Sequence, residues 1–179
     1  KNIGAEMFKS EITKEGTFLL GYEESYGYLV GTHARDKDAC VTALVLAEMC
    51  SYYKYEDLTI WDVLQELYQK YGYTEEKTIS ITKKGIDGLS AIANTMKEMR
   101  NDPPCELAGM QVKRFLDYEK PEETKLPKSN VLYFELDDAW VCVRPSGTEP
   151  KIKYYIGVSA PTEQEAKEKI DQLEKAFVE

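Results

Sequence analysis

Histidine is nearly absent from this chain and its cysteines are not paired in motifs, which excludes several kinds of site. His33 is the single histidine in 179 residues, and the four cysteines at 40, 50, 105 and 142 show no CxxC spacing. Zinc sites and disulfide frameworks need such residues in recognisable groups. The sequence therefore predicts no metal site on this chain, and unpaired thiols are typical of a reducing cytoplasm.

Positive charge and long apolar runs are scarce as well. The chain has 23 Lys and Arg against 32 Asp and Glu, a formal net charge of -9. Nucleic acids and anionic membranes require broad basic surfaces, so neither is expected as a partner. The most apolar run, 39–47, is far shorter than the roughly 20 residues of a spanning helix. Since the first residues already read as helix without a signal-like start, we expect a piece of a longer protein.

The first part of the chain, residues 1–74, is predicted to be an α/β segment. Two short apolar runs around glycines predict a strand, loop and strand over 17–31. The nearly continuous apolar stretch from 36 to about 53 predicts a helix buried on most sides. Thr59 and Asp62 form a capping box that begins a further helix, which Gly72 ends.

The second part, residues 75–179, is predicted to be an antiparallel sheet with two helices. Alternating patterns indicate strands at 77–85, 110–117, 131–136, 139–144 and 152–158. One helix is expected over 86–100. The other begins at a Thr162–Glu165 capping box and buries a stripe of Ala166, Ile170, Leu173 and Phe177. A domain boundary is expected after residue 74, where a glycine-terminated helix precedes a new strand.

The stretch "VRPSGTEPKIKYY", residues 143–155, gathers positive charge in an acidic chain. An arginine fork such as that of Arg144 grips two phosphate oxygens at once. Ser146 and Thr148 add hydroxyl donors, and Gly147 lets backbone amides approach a ligand closely. On a strand from 152, the side chains of 151, 153 and 155 share one face and those of 152, 154 and 156 the other. The pattern indicates an anion site, although a plain turn between strands has the same composition.

The stretch "GYEESYGY", residues 21–28, mixes carboxylates with aromatic rings. Carboxylates accept hydrogen bonds from sugar hydroxyls, and aromatic faces cover sugar rings. Solvated glutamates are the plain alternative. A glycosidase using Glu23 and Glu24 is disfavoured, because neighbouring carboxylates on an extended chain point to opposite sides. No GxxxxGK[ST] or GxGxxG pattern is present in either stretch.

Together the two stretches resemble the α-D-phosphohexomutase family, most closely its bacterial members that act on glucose phosphates. "GYEESYGY" followed by "RDKDA" is similar to the sugar-binding loop of the family's third domain, and "RPSGTEPKIKYY" to the phosphate-binding loop of its fourth. The resemblance implies the end of an α/β third domain over 1–74. It implies a TATA-binding-protein-like fourth domain over 75–179.

The resemblance also implies roles for particular residues. Sugar hydroxyls would be bound by Glu23 and Ser25. The substrate phosphate would be bound by Arg144, Ser146, Gly147 and Thr148, with Lys153 on the following strand. Lys37 corresponds to a lysine near the reacting centre, and Arg35 lies beside it.

The family interconverts hexose 1- and 6-phosphates through a phosphoserine and a bisphosphate intermediate. Neither its phosphoserine loop nor its magnesium-binding aspartate loop is present here, so Mg²⁺ is expected on missing N-terminal domains of the same chain. This chain would then recognise a hexose phosphate, with glucose expected and mannose an alternative, and would be inactive alone. A non-catalytic phosphosugar-binding module is the competing interpretation.

Overall fold

A computed structural model describes residues 2–23, 26–83, 87–147 and 149–178. The chain forms two compact units, 1–66 and 67–179. The border between them falls inside a helix, before the expected domain boundary after residue 74, which stays a prediction.

In the first unit two helices flank a hairpin, and a third helix begins. The elements are α1 (Asn2–Thr13), β1 (Leu20–Glu23), β2 (Gly27–Val30), α2 (Ala39–Tyr55) and α3 (Ile60–Tyr71), of which α3 continues into the second unit. β1 and β2 pair antiparallel, with Glu23 opposite Gly27. The hairpin thus confirms the strand, loop and strand predicted from the sequence. Met7 of α1 and Leu29 of β2 are fully buried.

Capping residues in the sequence explain both predicted helix starts in this unit. Asp38 caps α2, because its Oδ1 accepts hydrogen bonds from the amides of Cys40 and Val41 at 2.9 and 3.1 Å. The predicted capping box of α3 is confirmed. The Thr59 amide donates to Asp62 Oδ2 at 2.8 Å, and the Asp62 amide donates to Thr59 Oγ1 at 3.2 Å.

The prediction that the apolar helix is buried on most sides is wrong. No residue of α2 is buried, and Leu44 and Tyr52 are 60% and 62% exposed. Within its unit α2 contacts β2, one strand of a two-stranded hairpin. A ribbon of that width covers only one side of a helix, so the remaining apolar side chains face outward.

The second unit is built on a five-stranded antiparallel sheet, which confirms the predicted sheet. Its elements are β3 (Tyr73–Thr82), α4 (Gly88–Asn101), β4 (Glu106–Leu107), β5 (Met110–Gln111), β6 (Arg114–Asp117), α5 (Pro121–Thr124), β7 (Leu132–Leu136), β8 (Ala139–Pro145), β9 (Lys151–Ala160) and α6 (Glu163–Val178). The sheet order is β3-β9-β8-β7-β6. The short strands β4 and β5 pair with each other in a separate sheet. The single strand expected over 110–117 is therefore two strands, β5 in that separate sheet and β6 in the five-stranded sheet.

One face of this sheet, here called the inner face, carries the core. Val141, Val143 and Ile156 are fully buried on it, and Ala166 and Leu173 of α6 are fully buried against it, as predicted. The helices α4 and α6 both contact β9. The opposite face, called the outer face, carries the alternate side chains of each strand.

Candidate functional site

The loop between β8 and β9 is a short connection, tied at its base. The Ser146 amide donates to the Lys151 carbonyl at 2.7 Å, and the Glu149 amide donates to Ser146 Oγ at 3.3 Å. Gly147 is exposed, and a Cβ built on it meets nothing within 4 Å. The predicted ligand Thr148 lies outside the described residues. The loop is therefore closed at its base and open above Gly147.

A second contact braces the loop from the side of α4. The Lys83 amide donates to the Pro150 carbonyl at 2.9 Å. A Cβ on Gly88, the first residue of α4, would lie 2.1 Å from the Lys83 carbonyl oxygen and 3.2 Å from Pro150 Cβ. Glycine at this position lets the helix start pack closely against the end of the loop.

Arg144 and Lys153 face each other across β8 and β9. They are direct partners in the strand register, and both point to the outer face. The neighbouring positions Ile152 and Tyr154 are 2% and 5% exposed on the inner face, which confirms the predicted alternation. Arg144 is exposed and Lys153 is half-buried.

Neither of these two cations forms an ion pair with a carboxylate among the described residues, although Lys151 beside them pairs with Glu149 at 3.0 Å. Like charges directly opposite one another on antiparallel strands are destabilising. An anion held between the two side chains would remove that cost. The register thus places two cations side by side in an acidic chain, a charge arrangement suited to an anion.

Ser80 extends the same row of side chains and was missed by sequence reasoning. It lies opposite Lys153 on β3 and points to the outer face. With neighbouring strands about 4.8 Å apart, Ser80 and Arg144 lie on either side of Lys153 within about 10 Å. The alternation of the strand gives the face of Ser80, but only the register identifies its partner.

The first unit holds the residues predicted to bind the sugar. Glu23 is the last residue of β1, while Glu24 and the predicted ligand Ser25 lie outside the described residues. The Tyr22 and Tyr28 rings stack at 6.2 Å, and Tyr26 is 88% exposed with a φ of 62°. The hairpin therefore presents aromatic rings around the end of β1.

Lys37 lies against Glu23. Its Nζ is 3.3 Å from Glu23 Oε1 and 3.1 Å from Asp36 Oδ1. The hydrogen bond to Asp36, and next that to Glu23, raises the pKa of Lys37. A small pocket is lined by Ile3, Gly4, Glu23, Leu29, Arg35, Asp36 and Lys37. Two residues 14 positions apart in sequence thus meet in one pocket.

Arg35 and His33 are engaged elsewhere. Arg35 donates two hydrogen bonds to the Glu11 carboxylate, at 2.9 and 2.7 Å, and this hydrogen bonding lowers the pKa of Glu11. His33 Nε2 lies 2.9 Å from Oδ2 of the capping residue Asp38, whose pKa that contact lowers. Both contacts fix the segment that carries Lys37. Sequence reasoning missed Glu11 because it is 24 residues from Arg35.

The described residues contain no group of three or more His, Cys, Asp or Glu suited to a metal ion. Their four cysteines are free thiols. No helix there has the length and apolar character that a membrane crossing requires.

Comparisons with known proteins match both halves of the chain. The family model described as "Phosphoglucomutase/phosphomannomutase, alpha/beta/alpha domain III" matches residues 1–71, and the one described as "Phosphoglucomutase/phosphomannomutase, C-terminal domain" matches residues 94–176.

Among curated relatives, a phosphoglucomutase of Staphylococcus aureus (strain bovine RF122 / ET3-1) is 34% identical over 165 residues, 87% of this chain and 30% of that protein. One of Staphylococcus epidermidis (strain ATCC 12228 / FDA PCI 1200) is 34% identical over 169 residues, 89% of this chain and 31% of that protein. The chain thus spans about a third of the length of these relatives.

Among solved structures, the open form of the exocytosis-sensitive phosphoprotein pp63/parafusin from Paramecium superposes with a TM-score of 0.62 at 18% identity. The superposition covers 94% of this chain and 31% of that structure. At this identity the likeness shows the fold.

Proposed function

The chain belongs to the phosphoglucomutase/phosphomannomutase family, and we propose that it supplies the substrate-recognising part of an enzyme that interconverts glucose 1-phosphate and glucose 6-phosphate. In this proposal residues 1–74 bind the hydroxyl groups of the hexose, and residues 75–179 bind its phosphate. The observation that carries it is the Arg144–Lys153 pair, two facing cations without an ion-paired carboxylate among the described residues.

Two kinds of chemistry are divided between two groups of residues. In the first unit Lys37 meets the carboxylates of Glu23 and Asp36, a mixture of donors and acceptors suited to sugar hydroxyls. In the second unit the site has net positive charge, with hydroxyl groups on Ser80 and Ser146 nearby. A phosphorylated sugar requires both kinds of contact.

The reaction proposed is a double phosphoryl transfer. A phosphoserine outside this chain passes its phosphoryl group to a free hydroxyl of the hexose phosphate. The resulting bisphosphate turns round, and its other phosphoryl group returns to the serine. At each step one phosphate does not react, and Arg144 and Lys153 hold it. Because phosphoryl transfer depends mainly on positioning and charge stabilisation, this hold raises the rate as well as the affinity.

The metal ion of the proposal lies outside this chain. The described residues contain no group of three or more ligating side chains. Magnesium and the phosphoserine would belong to further domains of a longer chain.

The exposed thiols of Cys40, Cys50 and Cys105 are compatible with the reducing cytoplasm as the location of the protein.

A calorimetric titration of the 179-residue chain tests the recognition proposal. Glucose 6-phosphate is expected to bind more tightly than inorganic phosphate, and unphosphorylated glucose least. Mannose 6-phosphate, as a parallel titrant, tests the choice of hexose. Equal affinity for phosphate and for glucose 6-phosphate would reduce the proposal to an anion site without sugar recognition. In a longer chain with the phosphoserine and metal domains, Arg144→Ala is expected to raise KM and lower kcat.

A further inference from the structure

Gly27 lies at the loop end of the β1–β2 hairpin, and its backbone does not require glycine. Its φ is not in the left-handed region, which Gly16, Gly31, Gly72 and Gly109 occupy. Gly27 is the first residue of β2 and lies directly opposite Glu23. Glycine within a strand usually weakens pairing and often marks a close approach of another group. The reason for glycine here must therefore be space.

The group that fills this space is the side chain of Lys37. A Cβ built on Gly27 would lie 2.0 Å from Lys37 Cδ, 2.9 Å from its Cγ and 3.1 Å from its Cε. All three distances are shorter than ordinary van der Waals contact. The lysine stem therefore crosses the strand directly above Gly27, and its Nζ reaches Glu23 Oε1 at 3.3 Å on the other side.

We infer that Gly27 is a positioning residue, whose missing side chain leaves the channel through which Lys37 reaches Glu23. Any larger residue at 27 pushes the lysine stem off the hairpin. The ammonium then leaves Glu23, while its neighbour Asp36 stays within reach because it adjoins Lys37 in sequence. The specific loss is the Lys37–Glu23 contact.

The contact gives Glu23 a defined orientation. Lys37 engages Oε1, and the Glu23 side chain is 31% exposed, so its carboxylate is open to a ligand from the pocket. Two side chains held in one geometry lose less conformational freedom when a ligand binds. The consequence for hexose recognition rests on the proposed function, whereas the placement of Lys37 does not.

The pKa of Lys37 in the ligand-free chain tests the placement. It can be followed by the ¹³C shift of Lys37 Cε during a pH titration. Gly27→Ala is expected to lower this pKa, because the contribution of Glu23 is lost while that of Asp36 remains. Glu23→Gln is expected to lower it by a similar amount, and the double variant no further. An unchanged pKa in Gly27→Ala, or an additive fall in the double variant, would overturn the inference.

Gly21→Ala is the matched control in the same hairpin. Its Cβ would meet the Ile3 side chain at 2.7 Å, so it disturbs packing in the same pocket. The Lys37 pKa should stay at the wild-type value in this variant. A fall equal to that of Gly27→Ala would mean that any added methyl group disturbs the hairpin, and would also overturn the inference.

A double-mutant cycle of melting temperatures tests the inference even if Gly27→Ala folds poorly. In a Lys37→Ala background the three atoms nearest to the new methyl group are gone, so Gly27→Ala should cost little in melting temperature. An equal loss in both backgrounds contradicts the inference. Binding of glucose 6-phosphate is read separately. Absent binding with the expected pKa pattern counts against the proposed function alone, and an unchanged pKa counts against Gly27 alone.

Discussion

Replacing Arg144 with alanine should have opposite effects on binding and on stability. Arg144 is exposed and faces Lys153 without an ion-paired carboxylate among the described residues. Its removal deletes a like-charge contact, whose cost is on the order of 0.2–1 kcal/mol. The free energy of unfolding should therefore stay the same or rise slightly, by up to about 1 kcal/mol.

The same substitution should weaken anion binding strongly. A hydrogen bond to a charged group contributes about 1.5–3 kcal/mol, which corresponds to roughly a 10- to 150-fold loss of phosphate affinity. Isothermal titration of the 179-residue chain with glucose 6-phosphate measures the affinity, and urea unfolding measures the stability. Arg144→Lys should retain part of the binding, because the charge stays while the two-pronged geometry is lost.

Arg114→Ala is the charge-matched control for this experiment. Arg114 is exposed on β6, the far edge strand of the same sheet, and lies opposite Glu135. Its removal should leave phosphate affinity unchanged. If Arg144→Ala lowers stability and spares binding, or if both variants weaken binding equally, the reasoning about a local cation pair is refuted.

Three further changes probe the site and the fold. Ser80→Ala should weaken phosphate binding about fivefold in the same titration, from loss of a net hydrogen bond of about 1 kcal/mol, whereas Ser159→Ala at the far end of the sheet should not; equal effects would dismiss Ser80. Arg100→Ala should lower the free energy of unfolding in urea by about 3 kcal/mol, because it removes the ion pair of the Asp117 carboxylate, which is 2% exposed and 3.0 Å from Arg100 Nε; a loss below about 1 kcal/mol would contradict this account. The hydrogen bonds at the start of α3 lower the pKa of Asp62. The stability that the ionised Asp62 contributes is therefore complete above its unfolded pKa and is lost as pH falls through its lower folded pKa. Asp62→Asn should flatten that part of the acid-unfolding curve.

The strands could be predicted from the sequence because period-two patterns and turn residues are local signals. The hairpin of β7 and β8 turns at Asp137 and Asp138, where Asp138 has a φ of 53°. Boundaries were less accurate where pairing overrides local preference. β3 begins at Tyr73 rather than 77, because Tyr73 to Glu76 pair with the last residues of β9. These residues become strand through their partner.

Burial of the apolar helix could not be predicted, since composition does not say what covers a surface. The stretch that forms α2 has nearly no charged residues, yet Leu46 is 46% exposed. The strand that it contacts within the unit, β2, belongs to a narrow two-stranded hairpin. A core needs layers on both sides of an apolar element.

Site residues divide along the same line. Arg144 and Lys153 could be predicted from the sequence. They lie nine positions apart on either side of one turn, and strand alternation places both side chains on the outer face. The contacts of Glu23 with Lys37, and of Glu11 with Arg35, join residues 14 and 24 positions apart. Such contacts depend on tertiary packing. The space that Lys37 needs above Gly27 is also a property of the folded hairpin alone.

An NMR titration of the chain with inorganic phosphate, followed at individual nitrogen-bound protons, most directly tests the cation pair as an anion clamp. The account predicts saturable shifts of the Arg144 side-chain Nε–H signal and of the amides of Ser146, Gly147 and Glu149. The same signals should move further toward saturation with glucose 6-phosphate. An unmoved Arg144 signal, with small shifts spread over lysines across the surface, would contradict it.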